Sequence, residues 1–133
     1  MELKKKIQIH LDDLDFMGIV SHYQWIKLFE RARTELLKPI WKSFLDQNLN
    51  IAIAHVDCRY RLPARYDDQI TIELKAKKVG SRSMSLQHTA RNEENQIVAD
   101  ALIKGIFVNE KMKPSAISNP IKTFFKNLGE SND

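Results

Sequence analysis

From Ile53 to Val108 the chain repeats one pattern, apolar residues at every second position interrupted by short clusters of turn formers. Ile53 to Leu62 alternates through Val56, Cys58, Tyr60 and Leu62. Gln69 to Val79 alternates through Ile70, Ile72, Leu74 and Ala76, and Ser83 to Arg91 through Met84, Leu86, His88 and Ala90. A period of two places successive side chains on opposite faces, so each segment reads as a strand with one buried face. Ile97 to Val108 is more continuously apolar, which predicts a central strand covered on both sides. Turn residues fall between them, at Pro63 to Asp68, Gly80-Ser81 and Asn92 to Asn95. A run of antiparallel strands is the dominant constraint on the fold.

Ahead of this run, Ile7, Ile9 and Leu11 alternate with Gln8 and His10, predicting a first strand over Lys4 to Leu11. From Ser21 to about Leu37 the period changes. Trp25, Leu28, Phe29, Ala32 and Leu36 recur at helical spacing, with Lys27, Arg31, Thr34 and Glu35 largely opposite them. Ser21 and Gln24 form a capping-box pattern, which leaves the amides of His22 and Tyr23 unpaired. Pro39 closes that helix, Trp41 to Gln47 makes a short second one, and Asn48-Leu49-Asn50 breaks it. Near the end, Asn119 reads as an N-cap with Pro120 at the first helical position, and Gly129 stops the helix. Residues 129–133 read as a frayed, disordered tail. The order predicts an α+β fold with a helix packed on an antiparallel sheet.

The 133 residues, 43% hydrophobic, suit one core-bearing domain spanning 1–133. No stretch approaches the ~18 consecutive apolar residues of a membrane span, and Met1 to Lys6 leads into alternating residues rather than a signal-peptide apolar run. Cys58 is the only cysteine, which excludes an intrachain disulfide and suits a reducing compartment. A cytoplasmic protein is expected. The net charge of +4 is compatible with a phosphate-bearing substrate. Because the basic residues are scattered and no helix carries an Arg/Lys stripe, a nucleic-acid partner is not expected.

Chemistry concentrates in one turn, Asp13-Leu14-Asp15-Phe16-Met17-Gly18-Ile19-Val20-Ser21-His22, which runs directly into the long helix. Its acids therefore sit beside a helix N-terminus, where backbone N–H groups attract developing negative charge. A carboxylate next to an anion hole points to acyl-group hydrolysis. The turn and helix resemble the hotdog-fold acyl-CoA thioesterases of the 4-hydroxybenzoyl-CoA thioesterase type, especially the small bacterial branch associated with the Tol–Pal system. The matching string is Asp13-x-Asp15-x-x-Gly18-x-Val20-x-His22 followed by Phe29-Glu30-x-Ala32-Arg33-x-Glu35. A second block, Tyr60-x-x-Pro63-Ala64-Arg65-Tyr66-Asp67-Asp68, leads into Ile70-Thr71-Ile72, and a third is Val79-Gly80-Ser81-Arg82-Ser83. Two positions depart from the pattern: Leu11 stands where this branch often has an aromatic residue, and Trp25 where it commonly has tyrosine. Both would reshape an acyl pocket.

The resemblance implies a hotdog fold, an antiparallel sheet wrapped around a long central helix, assembled as homodimers paired into homotetramers with active sites at subunit interfaces. It implies hydrolysis of an acyl-CoA thioester to a carboxylic acid and CoA, without metal or cofactor. Asp15 is the implied catalytic carboxylate, as general base or as nucleophile. The free amide of His22 is the expected oxyanion donor, while its imidazole either orients substrate or is simply an exposed first-turn side chain. Asp13 either joins the chemistry or only shapes the turn. Gly18, Val20, Tyr23, Tyr60 and Arg82 are the substrate-binding candidates. Gly18 answers a backbone requirement, positive φ or close approach. Arg82 is placed for a phosphate of CoA or is a solvated turn arginine.

Glu30 and Arg33 read as a solvated helix pair, Cys58 as a small core residue, and His10, His55 and His88 as ordinary half-buried or surface histidines. A metal held by Asp13, Asp15 and His22 would lack a further ligand at a recognised spacing. Two rival functions remain: a thioesterase acting on acyl groups carried by acyl carrier protein, an acidic partner that a basic rim would also suit, and a non-catalytic acyl-binding or envelope-associated interaction protein.

Overall fold

The computed structural model describes residues 3–129. Its elements run β1 (Leu3–Gln8), a 3₁₀ turn (Leu11–Asp13), α1 (His22–Leu36), α2 (Lys38–Asp46), β2 (Asn50–Tyr60), β3 (Gln69–Val79), β4 (Ser83–Arg91), β5 (Ile97–Val108) and α3 (Asn119–Gly129). The five strands form one sheet in the order β1-β3-β4-β5-β2, and every neighbouring pair is antiparallel. Only β1 and β2 are therefore edges.

Alternation along β3, β4 and β5 gives the sheet a continuous apolar face. Ile70 and Ile72 of β3, Ala90 of β4, and Ala99, Ala101 and Ile103 of β5 pack against Trp25, Leu28, Phe29 and Ala32 of α1. Farther along the same strands, Leu74, Ala76, Met84, Leu86 and Phe107 pack against Ile40 and Phe44 of α2 and Ile121, Phe125 and Leu128 of α3. All three helices lie on that one face. Burial of each such Ile, Leu, Phe or Met side chain contributes roughly 1.5–3 kcal/mol.

Strands β3, β4 and β5 occupy the predicted spans, and the edges differ. The first strand ends at Gln8, because the Asp13 carboxylate (Oδ2) accepts the His10 N–H at 2.8 Å and draws the chain into the 3₁₀ turn, leaving Leu11 exposed. Pro39 opens the second helix instead of closing the first. It sits in the first turn of α2, where N–H groups have no intrahelical partner and proline removes no bond. Helix α2 ends at Asp46, with Gln47 as its cap and the left-handed Asn48, φ 50°, just beyond it, and the second strand starts early, at Asn50. It also ends early, because the N–H groups of Arg61 and Leu62 both turn to the Val98 carbonyl.

Strand β5 is interior yet not covered on both faces, since Leu102 and Lys104 are exposed. In α3, Asn119 and Pro120 are already helical, and the Ser118 carbonyl accepts the Lys122 N–H. Gly129 belongs to α3 rather than to a tail, and a Cβ there would lie 2.5 Å from the Ala76 carbonyl oxygen, so glycine permits close packing of helix on strand. The remainder of the expected tail, 130–133, lies outside the described residues.

Candidate active site

The turn before α1 is a tight loop closed by backbone pairing. Leu14 and Val20 form an isolated antiparallel bridge, the Asp15 N–H donates to the Ile19 carbonyl at 2.8 Å, and the Gly18 N–H donates to the Asp15 carbonyl at 3.0 Å. Gly18 has φ +78° with open space around its missing Cβ, so the left-handed backbone is what calls for glycine. The loop is pinned to the segment after β2. The Val20 N–H donates to the Ala64 carbonyl at 2.9 Å, and Ile9 exchanges backbone bonds with Asp67 and Asp68. These bonds bring two motif blocks, separate in sequence, to one place.

Within that loop the two carboxylates are used differently. Asp13 is buried, with Oδ2 accepting the His10 N–H and Oδ1 accepting from the Gln24 side-chain amide at 2.8 Å. Its role is to tie the loop to α1. The same bond corrects the expected capping box: Gln24 reaches Asp13 instead of the Ser21 N–H, and the Ser21 side chain makes no cap bond. Asp15 accepts the Met17 N–H at 2.8 Å through Oδ1, an Asx turn within the loop. Among the described residues its Oδ2 has no partner, which leaves an ionisable oxygen available to a substrate or a water.

At the start of α1 the Gln24 and Trp25 N–H groups donate to the Ser21 carbonyl, whereas those of His22 and Tyr23 have no acceptor among the described residues. These are the unpaired donors at the positive end of the helix dipole. The His22 carbonyl accepts the Tyr60 hydroxyl at 2.9 Å, so α1 is anchored to the end of β2. Burial, then contact with Cys58, pushes the Tyr60 hydroxyl up to about 12, and it stays a donor at neutral pH. The His22 ring stands edge-on to both Tyr23 and Tyr60, at 5.8 and 6.4 Å between centroids.

Asp15, Val20, His22 and Tyr60 line one cavity of about 620 Å³. Of the other residues singled out in the sequence, Gly18 shapes the loop, and Tyr23 meets His22 edge-on outside the lining. Arg82 is not brought to this cavity within one chain. Its carbonyl accepts the Phe107 N–H at the end of the sheet where Asn50 pairs with Val108, whereas Tyr60 pairs with Ala99 at the other end. Trp25 lines the cavity, as its departure from the family pattern implied, while Leu11 does not.

Arg65 is a lining residue that the sequence reading left without a role. Its guanidinium has no ion-pair partner among the described residues, and its position two residues after Pro63 in the second motif block was the available signal. The set Asp13, Asp15 and His22 is not gathered as a metal site. Among the described residues the potential ligand cluster is His10, Asp12 and Asp13, in which Asp13 already has both oxygens bonded to N–H groups.

Two further sequence readings are corrected on the inner face of the sheet. His88 is fully buried, and Arg33, its side chain only 12% exposed, approaches His88 Nε2 through Nη1 at 3.2 Å. The helix pair is thus not simply solvated. Glu30 contacts Arg33 Nη2 only at 3.9 Å and is itself largely exposed.

An antiparallel sheet curled against a long helix, with an acidic loop at the helix entrance, defines a hotdog-fold protein. The sequence pattern of the thioesterase-like superfamily matches residues 9–125, and the chain belongs to that family. It is 29% identical to the acyl-CoA thioesterase YbgC of Haemophilus influenzae, over 92% of this chain and 93% of the relative. It is 27% identical to the acyl-CoA thioester hydrolase YbgC of Escherichia coli, over 90% and 92%. The crystal structure of YbaW, a probable thioesterase from Escherichia coli, superposes with a TM-score of 0.86 at 22% identity, covering 96% of this chain and 99% of that one.

Proposed function

We propose that this chain is an acyl-CoA thioesterase that hydrolyses its substrate to a carboxylic acid and free CoA. One observation carries the reading: the open oxygen of Asp15 and the unpaired first-turn N–H groups of α1 belong to one loop-and-helix unit bordering one cavity. Asp15 either deprotonates a water that attacks the thioester carbonyl or attacks it directly. The developing oxyanion is received by the N–H of His22, a contribution of about 3 kcal/mol for one such donor. The C–S bond then breaks, and the thiolate, a good leaving group, takes its proton from protonated Asp15 on the general-base route or from solvent on the nucleophilic route. On the nucleophilic route a water then hydrolyses the Asp15–acyl anhydride to release the carboxylic acid and restore the carboxylate. Arg65 at the rim is the residue assigned to the phosphates of CoA. The names of the YbgC relatives support the CoA thioester as substrate class.

A second copy of the chain completes the assembly in this reading. Strand β2 is a long edge, and its inner-face residues Ile53, Val56 and Tyr60 are 44%, 39% and 48% exposed although they pair with buried positions of β5. Such an edge is a template for strand addition. A two-fold axis through the middle of β2 brings the Tyr60 end of one copy opposite the Asn50 end of the other. It thereby carries the partner's Arg82 toward the Asp15 end, and dimers of this kind are the units that pair into tetramers. We place the protein in the cytoplasm, a reading supported by its single, free cysteine. No helix among the described residues is long and apolar enough to cross a membrane.

The test is a panel of acyl-CoA and acyl-carrier-protein thioesters assayed with a thiol-detecting reagent beside Asp15→Asn. Expected is thiol release from acyl-CoA that falls about 10²–10⁴-fold in the variant. Release only from the carrier-protein substrates would move the assignment to that class. Equal, background release by both proteins from every substrate would leave a binding protein.

A further inference from the structure

A second cavity, of about 390 Å³, lies at the other end of the inner face, between the C-terminal half of α1, α2 and the start of β2. Its walls are mostly apolar, with Trp41, Phe44, Leu49, Ile51 and Ile53. Arg33 projects into this apolar setting. Among the described residues its only polar contacts are the 3.2 Å approach to His88 and the 3.9 Å approach to Glu30. Burial pulls the Arg33 guanidinium below its usual value, with Glu30 opposing, and the group remains a cation at neutral pH. His88 gives it no counter-charge, since burial foremost and Arg33 itself hold the imidazole at about 3. A guanidinium has five N–H donors, and a buried cation is costly unless paired and hydrogen-bonded. Beyond those two approaches its N–H donors have no partner among the described residues, and since none of its nitrogens is both fully buried and unpartnered, the free donors reach open space where Arg33, with Glu30, lines the cavity.

The two cavities lie at opposite ends of β2, one reaching Tyr60 and Leu62, the other Asn50, Ile51 and Ile53. In the two-fold pairing of β2 proposed above, on which this inference rests, the hydrolytic cavity of one copy abuts the second cavity of its partner. We propose that the second cavity receives the far end of the acyl group and that Arg33 selects acyl groups ending in a carboxylate. The guanidinium meets both carboxylate oxygens in a fork, while Trp41, Phe44 and Leu49 enclose the chain between the two ends.

Matched substrates read this selection directly. The CoA monothioesters of hexanedioic, octanedioic and decanedioic acids are compared with hexanoyl-, octanoyl- and decanoyl-CoA in wild type, Arg33→Met and Arg33→Lys. At the best chain length the wild type favours the carboxylate-bearing substrate in kcat/KM by at least about tenfold. That ratio collapses toward one in Arg33→Met and is intermediate in Arg33→Lys. General damage to the fold slows both members of a pair and leaves their ratio alone. A wild-type ratio at or below one at every length, or a ratio that survives Arg33→Met, overturns the selection while leaving the hydrolase assignment standing.

A binding measurement covers the case in which no thioester is turned over. Octanedioate is titrated against Trp41 fluorescence, with Trp41→Phe assigning the signal. Saturable quenching that weakens at least about tenfold in Arg33→Met supports the site even if hydrolysis is absent. No quenching in the wild type, with loss of the dimer in Arg33→Met, overturns it and makes Arg33 a contact between copies.

Discussion

At its N-terminal end α1 meets carboxylates with backbone and amide N–H donors, whereas in its C-terminal half a cation is buried against a neutral imidazole. The two places are ~16 Å apart along the axis, at ~1.5 Å per residue from His22 to Arg33. Near the first, Asp13 has both oxygens bonded and Asp15 has one, so charge and donors are matched locally, with a single oxygen left over. At the second, Arg33 and His88 come from positions far apart in sequence and compensate each other poorly. The first matches its charges and donors almost wholly within one loop and one helix turn. The second is an incomplete structure awaiting an anion.

The largest effect that separates the two ends is acid sensitivity. His88 has a folded value of about 3 against ~6.5 for an unperturbed histidine. Between those values the unfolded chain binds the proton and the folded protein refuses it. With the imidazole neutral, stability is therefore full above pH ~6.5 and falls as pH drops toward about 3, at about 1.4 kcal/mol per pH unit. His88→Gln has no such proton to refuse. In urea melts from pH 7 down to pH 4, wild type loses stability relative to His88→Gln. A constant difference between the two proteins across that range would mean that the imidazole is not buried as a neutral ring.

Next in size is the local end. Asp13→Ala removes acceptors from the His10 N–H and from Gln24, whose amide is buried, and an unmet buried donor costs about 1–3 kcal/mol. Stability falls by that amount, and hydrolysis falls with it because the loop carrying Asp15 loses its tie to α1. The outcome at odds with this is a variant as stable as wild type with thiol release reduced as far as in Asp15→Asn, which would make Asp13 a partner in the chemistry.

The local end was legible in the sequence, and the remote one was not. The His10–Asp13 turn, the Asx turn at Asp15 and the left-handed Gly18 are made within a few residues, and such contacts leave a fixed spacing that can be read. The strands β3, β4 and β5 were legible for the same reason, since a period of two is local. Their neighbours at the edges were harder: nothing in Ile9-His10-Leu11 announces that the Asp13 carboxylate will capture the His10 N–H and end the strand. Gln24 matched a capping box by spacing, yet its amide went to Asp13 because the 3₁₀ turn brings that carboxylate against α1. His88 falls on the period-two register of Met84, Leu86 and Ala90, yet nothing in that register names its partner, and Arg33 looks like a surface residue of its helix. Only the packing of α1 across β4 turns them toward one another, and no spacing along the chain encodes it. Arg82 shows the converse, a motif read correctly as a turn that the fold of one chain places at the end of the sheet away from Asp15.

The smallest of these effects tests whether the loop's geometry, rather than its acids alone, defines the local end. Gly18 has φ +78°, and a Cβ there meets no other atom, so Gly18→Ala isolates the backbone cost of a left-handed residue without a clash. That cost is about 1–2 kcal/mol, or a few degrees in Tm for a domain of this size. The loop can avoid it by turning Gly18 to negative φ, which breaks the Gly18 N–H bond to the Asp15 carbonyl and swings Asp15 away from the first turn of α1. Under that relaxation kcat falls more than stability does, and KM for the thioester changes little because Trp25, Pro63 and Arg65 keep their places. The selection exerted by Arg33, at the other end of α1, is left untouched in each substrate pair. A change in that ratio on Gly18→Ala would mean that the two ends of the helix are coupled, and the separation drawn between them would fail.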